Sequence, residues 1–111
     1  MKTLFLLLAV AAATTVYAQT EPRTDTIRVK GMSCGMCERR IEKNIGKLSG
    51  IRSIEADVEQ EMAVVVFDPS KTSKDAVEQA ISKIGYSAGS YEADKVARDH
   101  LPGCCNPNQK H

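Results

Sequence analysis

Gly31-Met32-Ser33-Cys34-Gly35-Met36-Cys37, running on into Glu38-Arg39-Arg40-Ile41, is the stretch on which the fold turns. Two thiols stand three positions apart. Before them, Thr24-Asp25-Thr26-Ile27-Arg28-Val29-Lys30 alternates apolar and polar, with Ile27 and Val29 on one face. That alternation predicts a half-buried strand, which Gly31 ends. After them, Cys37, Ile41, Ile45 and Leu48 recur at steps of four, four and three. This is the stripe of an amphipathic helix. Ser49-Gly50 stops it, with Gly50 suited to a left-handed cap.

The chain continues in the same idiom. Ile54, Ala56 and Val58 alternate along a second strand, and Glu59-Gln60-Glu61 forms a polar turn. Met62 to Phe67 is an uninterrupted apolar run rich in Val, the mark of a central or well-covered strand. Asp68-Pro69-Ser70 breaks it, and Thr72 or Ser73 can cap a second helix. Val77, Ala80, Ile81 and Ile84 mark that helix's buried face, and Gly85 ends it. Tyr86 to Tyr91 fits a short edge strand. Strand, helix, strand, strand, helix, strand is the order of an α+β ferredoxin-like βαββαβ sandwich, one antiparallel sheet with two helices on one face. Residues 24–91 make up this domain, and residues 92–111 form a C-terminal tail. Within the tail, Glu92 to Leu101 can form a short helix, and Pro102-Gly103 leads into a turn-like Cys104-Cys105-Asn106-Pro107-Asn108.

A chain of 111 residues suits one such domain. It has no Trp and only five Phe plus Tyr, so its core must be aliphatic. The formal charge is +1, which gives no electrostatic case for nucleic acid as a partner. Residues 1–18 read as a signal peptide: Lys2 supplies the positive start, Leu4 to Ala13 the apolar run, and Val16-Tyr17-Ala18 the small-residue cleavage pattern. The apolar run is shorter than the roughly 20 residues a membrane helix needs. Gln19 then begins the mature chain, and residues 19–23 are a polar linker. The expected location is periplasmic or secreted. There the four cysteines meet an oxidising environment in which disulfides form.

Cysteine is chemically useful as the thiolate, which a helix N-terminus and nearby positive charge favour. Cys37 falls at the first turn of the predicted helix, Cys34 in the loop before it, and Arg39 and Arg40 lie close by. Two soft sulfurs with no His, Asp or Glu in the loop suit Cu(I). Zn(II) at a structural site takes four ligands, and Cys104-Cys105 is a poor second pair by spacing. A plain Cys34–Cys37 disulfide is the bland alternative. A thiol–disulfide oxidoreductase is an alternative of another class. Against it stand the position after the first strand, the missing Trp and the absence of a later strand opening on Pro. Adjacent cysteines bridge each other only with strain. The tail thiols therefore read either as disulfide-forming residues of a loose segment, or as further soft ligands with His100 and His111 near them. The histidines themselves are expected to be solvated.

Gly31-Met32-Ser33-Cys34-Gly35-Met36-Cys37 resembles the Gly-Met-x-Cys-x-x-Cys signature of the heavy-metal-associated domain family, and the resemblance runs from about Thr24 to Tyr91. It takes in Gly50-Ile51 and Gly85-Tyr86-Ser87-Ala88. The family includes copper chaperones, modules of copper-transporting ATPases and a periplasmic mercury-binding protein. The resemblance implies that Cys34 and Cys37 are the two metal-binding sulfurs, that Met32 is tucked under the loop, and that Tyr86 shields it. Met36, Cys104 and Cys105 are accessory candidates. The implied activity is not catalytic: the protein holds Cu(I), or alternatively Hg(II), and transfers it by thiol exchange. The recipient would be a metal-transporting membrane protein or another metal-binding domain, and the metal-free carrier a monomer.

Overall fold

The computed structural model describes residues 21–106. The signal peptide, its cleavage point, the first part of the linker and His111 lie outside the described residues.

The elements are β1 (Arg23–Lys30), α1 (Gly35–Gly46), β2 (Ile51–Asp57), β3 (Met62–Phe67), α2 (Lys74–Lys83), β4 (Ser87–Ala88), α3 (Lys95–Asp99) and a single 3₁₀ turn at Gly103–Cys105. The sheet order is β2-β3-β1-β4, every neighbouring pair antiparallel. This is the expected ferredoxin-like α+β architecture, with β1 and β3 in the middle.

The core is mostly aliphatic, but its two largest fully buried side chains are aromatic, Tyr86 and Phe67. Ile27 and Val29 of β1 meet Ala63, Val65 and Phe67 of β3, and Ile54 of β2 joins them. Over this face lie Cys37, Ile41 and Ile45 of α1 and Val77 and Ile81 of α2. Ser73 caps α2, its hydroxyl accepting from the Ala76 N–H at 3.1 Å.

The apolar run Met62–Phe67 is central in the sheet but covered on one face only. Ala63, Val65 and Phe67 are buried, while Val64 is exposed and Val66 half-buried. Leu48 departs from expectation. The helix ends at Gly46 with Lys47 as its cap, so Leu48 falls past the last turn and off the buried stripe, 41% exposed. The edge strand is two residues long because the chain reverses at Gly89 (φ +56), whose N–H donates to the Arg28 carbonyl.

The C-terminal segment is not a loose tail as far as Asn106. The Asp94 N–H donates to the Ser82 carbonyl at 2.9 Å, and Asp94 in turn caps α3 through the Ala97 N–H. Leu101 is 2% exposed and belongs to the main core. Burying a leucine side chain contributes roughly 2 kcal/mol. The close approach of α3 rests on Gly85 (φ +112): a Cβ built there would meet the Arg98 backbone at 3.0 Å. Gly85→Ala combines a left-handed backbone with that clash. It is expected to destabilise the fold by more than about 1 kcal/mol in urea unfolding. An unchanged midpoint would show that α3 does not dock here.

Candidate metal site

The site is built at the point where β1 gives way to α1. Gly31 (φ +100) turns the chain out of the strand, and Cys34 adopts extended backbone as the N-cap residue of α1. No side chain caps this end. The first N–H groups of the helix therefore face the cysteine loop. The Cys37 N–H donates to the Cys34 carbonyl at 3.0 Å, which closes the loop.

The two thiol positions differ in character. Cys37 is fully buried, one helical turn ahead of Ile41 on the same stripe. Cys34 is half-buried. Ser33, which sequence reasoning passed over, serves both segments. Its N–H donates to Cys37 Sγ at 3.4 Å, its Oγ lies 3.7 Å from the same sulfur, and its Oγ also hydrogen-bonds the Cys104 carbonyl. The only signal for it was a hydroxyl beside the first cysteine. Glu38 anchors the start of α1 by accepting from the Val58 N–H at 3.0 Å, tying the helix to the end of β2.

All four cysteines are paired, as Cys34–Cys104 and Cys37–Cys105, with Cα separations of 6.5 and 5.7 Å. These fall in the range a disulfide spans. The half-buried cysteines pair with each other, as do the buried ones, since Cys105 is 1% exposed. The bridges therefore cross between segments, and the simple Cys34–Cys37 bridge is not the one formed. The sulfurs of Cys34, Cys104 and Cys105 lie within 4.8 Å of one another, and Cys37 joins this trio through Cys105. Met36 is 43% exposed, and Met36 Sδ would lie 3.8 Å from a Cβ placed on Gly103, at the edge of the same cluster. Met32 is half-buried against the core. His100 is exposed, and its Nδ1 bonds the Val96 carbonyl at 2.7 Å, away from the sulfurs' own set of partners.

Tyr86 is fully buried at the base of the loop, its ring 3.8 Å from where a Gly31 Cβ would stand. Burial pushes its phenol above the ordinary value of 10.0, and the nearby Arg40 charge opposes the rise. A cleft of about 260 Å³ lies alongside, lined by residues that include Lys30, Gly31, Gly85, Arg98 and Cys105.

Comparison with known proteins agrees with this geometry. Residues 26–87 match the model of the heavy-metal-associated domain. The copper chaperone CopZ of Enterococcus hirae is 42% identical over 60 residues, 54% of this chain and 87% of that one. The periplasmic component of mercuric transport from an Alcaligenes species is 40% identical over 87 residues, 78% of this chain and 93% of that one. The mouse copper-transporting ATPase 1 is 35% identical over 80 residues, 68% of this chain but 5% of that much longer protein. Among solved structures, oxidised MerP from Ralstonia metallidurans superposes with a TM-score of 0.58 at 34% identity, over 61% of this chain and 94% of that one. The CopZ metallochaperone does so with 0.57 at 29% identity, over 60% and 98%. The chain belongs to the heavy-metal-associated domain family.

Two outcomes are expected. Tryptic digestion of the oxidised protein yields residues 31–39 covalently joined to residues 99–110, read by mass spectrometry; separate peptides would rule out the cross-segment bridges. Replacing both tail cysteines, Cys104→Ser/Cys105→Ser, removes a loop closure of 70 residues, for which chain entropy predicts a loss of about 4 kcal/mol under oxidising conditions. The phenol of Tyr86 supplies a further check by ultraviolet titration. Its folded pKa is raised, so its stabilising contribution is fully present below pH 10 and is lost as the pH climbs through the folded value. A Tyr86 ionisation with an unshifted midpoint would contradict its burial.

Proposed function

We propose that this protein is an exported carrier of a soft metal ion. It holds Cu(I) through Cys34 and Cys37 and passes the ion to a metal-transporting membrane protein or another metal-binding domain by exchange of thiol ligands. The observation that carries the reading is the placement of both sulfurs at the uncapped N-terminus of α1 in a chain of this family. The helix N-terminus and the Ser33 N–H favour thiolate there. Two thiolates satisfy a soft d¹⁰ ion and leave room for an incoming ligand. Because Cys34 is the more accessible sulfur, a partner thiolate enters on its side. Cys34 then leaves the ion first and buried Cys37 last.

Hg(II) is a second reading with its own support. The mercuric relatives, all of them periplasmic components of mercuric transport, align over 78% of this chain, against 54% for the copper chaperone. Both ions are bound by few, soft sulfurs, and the donor set does not divide them. The reading as a thiol–disulfide oxidoreductase is disfavoured by the burial of Cys37 and its pairing with a distant cysteine. A redox loop of that kind closes on its own neighbour.

The test is anaerobic titration of the reduced mature protein with Cu(I) and Hg(II) against competing chelators. Cys34→Ser/Cys37→Ser is expected to lose high-affinity binding of both ions. Full Cu(I) affinity in that variant would defeat the assignment. Cell fractionation and N-terminal sequencing of the secreted species are expected to find it outside the cytoplasm and beginning at Gln19.

A further inference from the structure

Cys104 and Cys105 are held beside the metal loop by contacts that do not depend on the disulfides. Leu101 is seated in the core, the α3 backbone rests on Gly85, and the Asp94 N–H is bonded to the Ser82 carbonyl. Asn106 Nδ2 donates to the Asp99 carbonyl at 3.0 Å and steadies the turn that carries both cysteines. The Ser33 hydroxyl reaches the Cys104 carbonyl directly. Opening the sulfur–sulfur bonds therefore leaves the C-terminal segment docked, with its thiols still facing the loop.

Resting on the metal-carrier reading, we propose that the segment supplies ligands of its own. In the reduced chain, Cys34, Cys104 and Cys105 form a three-sulfur site for a soft d¹⁰ ion, distinct from the two-sulfur set Cys34 and Cys37. The trio already lies within 4.8 Å of one another. An ion with metal–sulfur bonds of about 2.3 Å at the centre of three sulfurs needs them about 4 Å apart. Sulfurs freed from a disulfide relax toward that separation once the bond is gone. Because the two ligand sets share Cys34, an ion passes between them by exchanging sulfurs without leaving the protein. The docked segment holds the ion on three sulfurs.

Reaching this state requires reduction. Each disulfide takes two electrons and two protons from an external dithiol, which leaves as a disulfide. The two bonds together yield four thiols. Metal binding then displaces thiol protons to solvent.

The experiment uses the full mature chain, reduced with a phosphine, desalted and loaded with one equivalent of Cu(I) under anaerobic conditions. X-ray absorption at the copper edge counts the sulfur neighbours, and circular dichroism confirms that each variant is folded. Three sulfurs are expected in the wild type and two in Cys104→Ser/Cys105→Ser. The variant's Cu(I) affinity should fall at least about tenfold, the lower end of what losing even an outer partner of a metal ligand costs. Two sulfurs in the wild type, with affinity unchanged in the tail variant, would overturn the three-sulfur site while leaving Cys34 and Cys37 as the carrier pair. Undiminished binding by Cys34→Ser/Cys37→Ser would instead overturn the carrier reading, and with it this one.

Discussion

Cys37 is at once a core residue and a member of the candidate site, and the rest of the structure depends on that double membership. Its side chain heads the buried stripe that continues through Ile41 and Ile45, so the packing of α1 against the sheet fixes where the sulfur stands. A residue in a close-packed interior has little freedom to move. Cys34 sits at the extended N-cap position just outside that constraint. One sulfur is thereby anchored and its neighbour is left adaptable. In the carrier proposed above, that asymmetry would give ligand exchange an order, with the accessible sulfur yielding before the buried one.

The scaffold follows from this demand. β1 must end where α1 begins, and Gly31 makes the turn in a left-handed conformation that side-chain-bearing residues rarely adopt, with the Tyr86 ring in ordinary contact distance beneath it. Glu38 fastens the helix to the far end of β2 through the Val58 N–H. Both hold the helix N-terminus, with its unpaired N–H groups, at one end of the sheet. The electrostatic help that a helix terminus gives a thiolate falls off within a turn, so positioning to that degree matters.

The alternation of Ile27 and Val29, the Val-rich run of β3 and the helical spacing of Ile41, Ile45, Val77 and Ile81 made the sandwich legible in the sequence, because each reports a local period. The Cys34 and Cys37 loop was legible for the same reason: its elements are neighbours in the chain. What escaped was the part set by long-range contact. Nothing local marks Leu101 as a core residue, and Gly85 reads as a helix stop, whereas it also admits the backbone of α3. The pairing of Cys34 with Cys104 spans 70 residues, and connectivity among four cysteines does not follow from spacing. Leu48 keeps the helical period in the sequence but lies two residues past Gly46, where α1 has already ended.

The two disulfides are not equivalent in what they contribute. Closing Cys34–Cys104 restrains a loop of 70 residues and removes much of the freedom of the unfolded chain. Once it is closed, Cys37–Cys105 adds little restraint. Only Gly35 and Met36 separate the two cysteines on one side, and no residue separates them on the other. Chain entropy grows with the length of the loop newly closed. Stability thus accounts for one bridge and leaves the second nearly unexplained. A second cysteine in the tail makes sense as chemistry. It brings all four sulfurs into one cluster, where each bridge opened by reduction would free a thiol on both segments at once, as the proposed three-sulfur site requires.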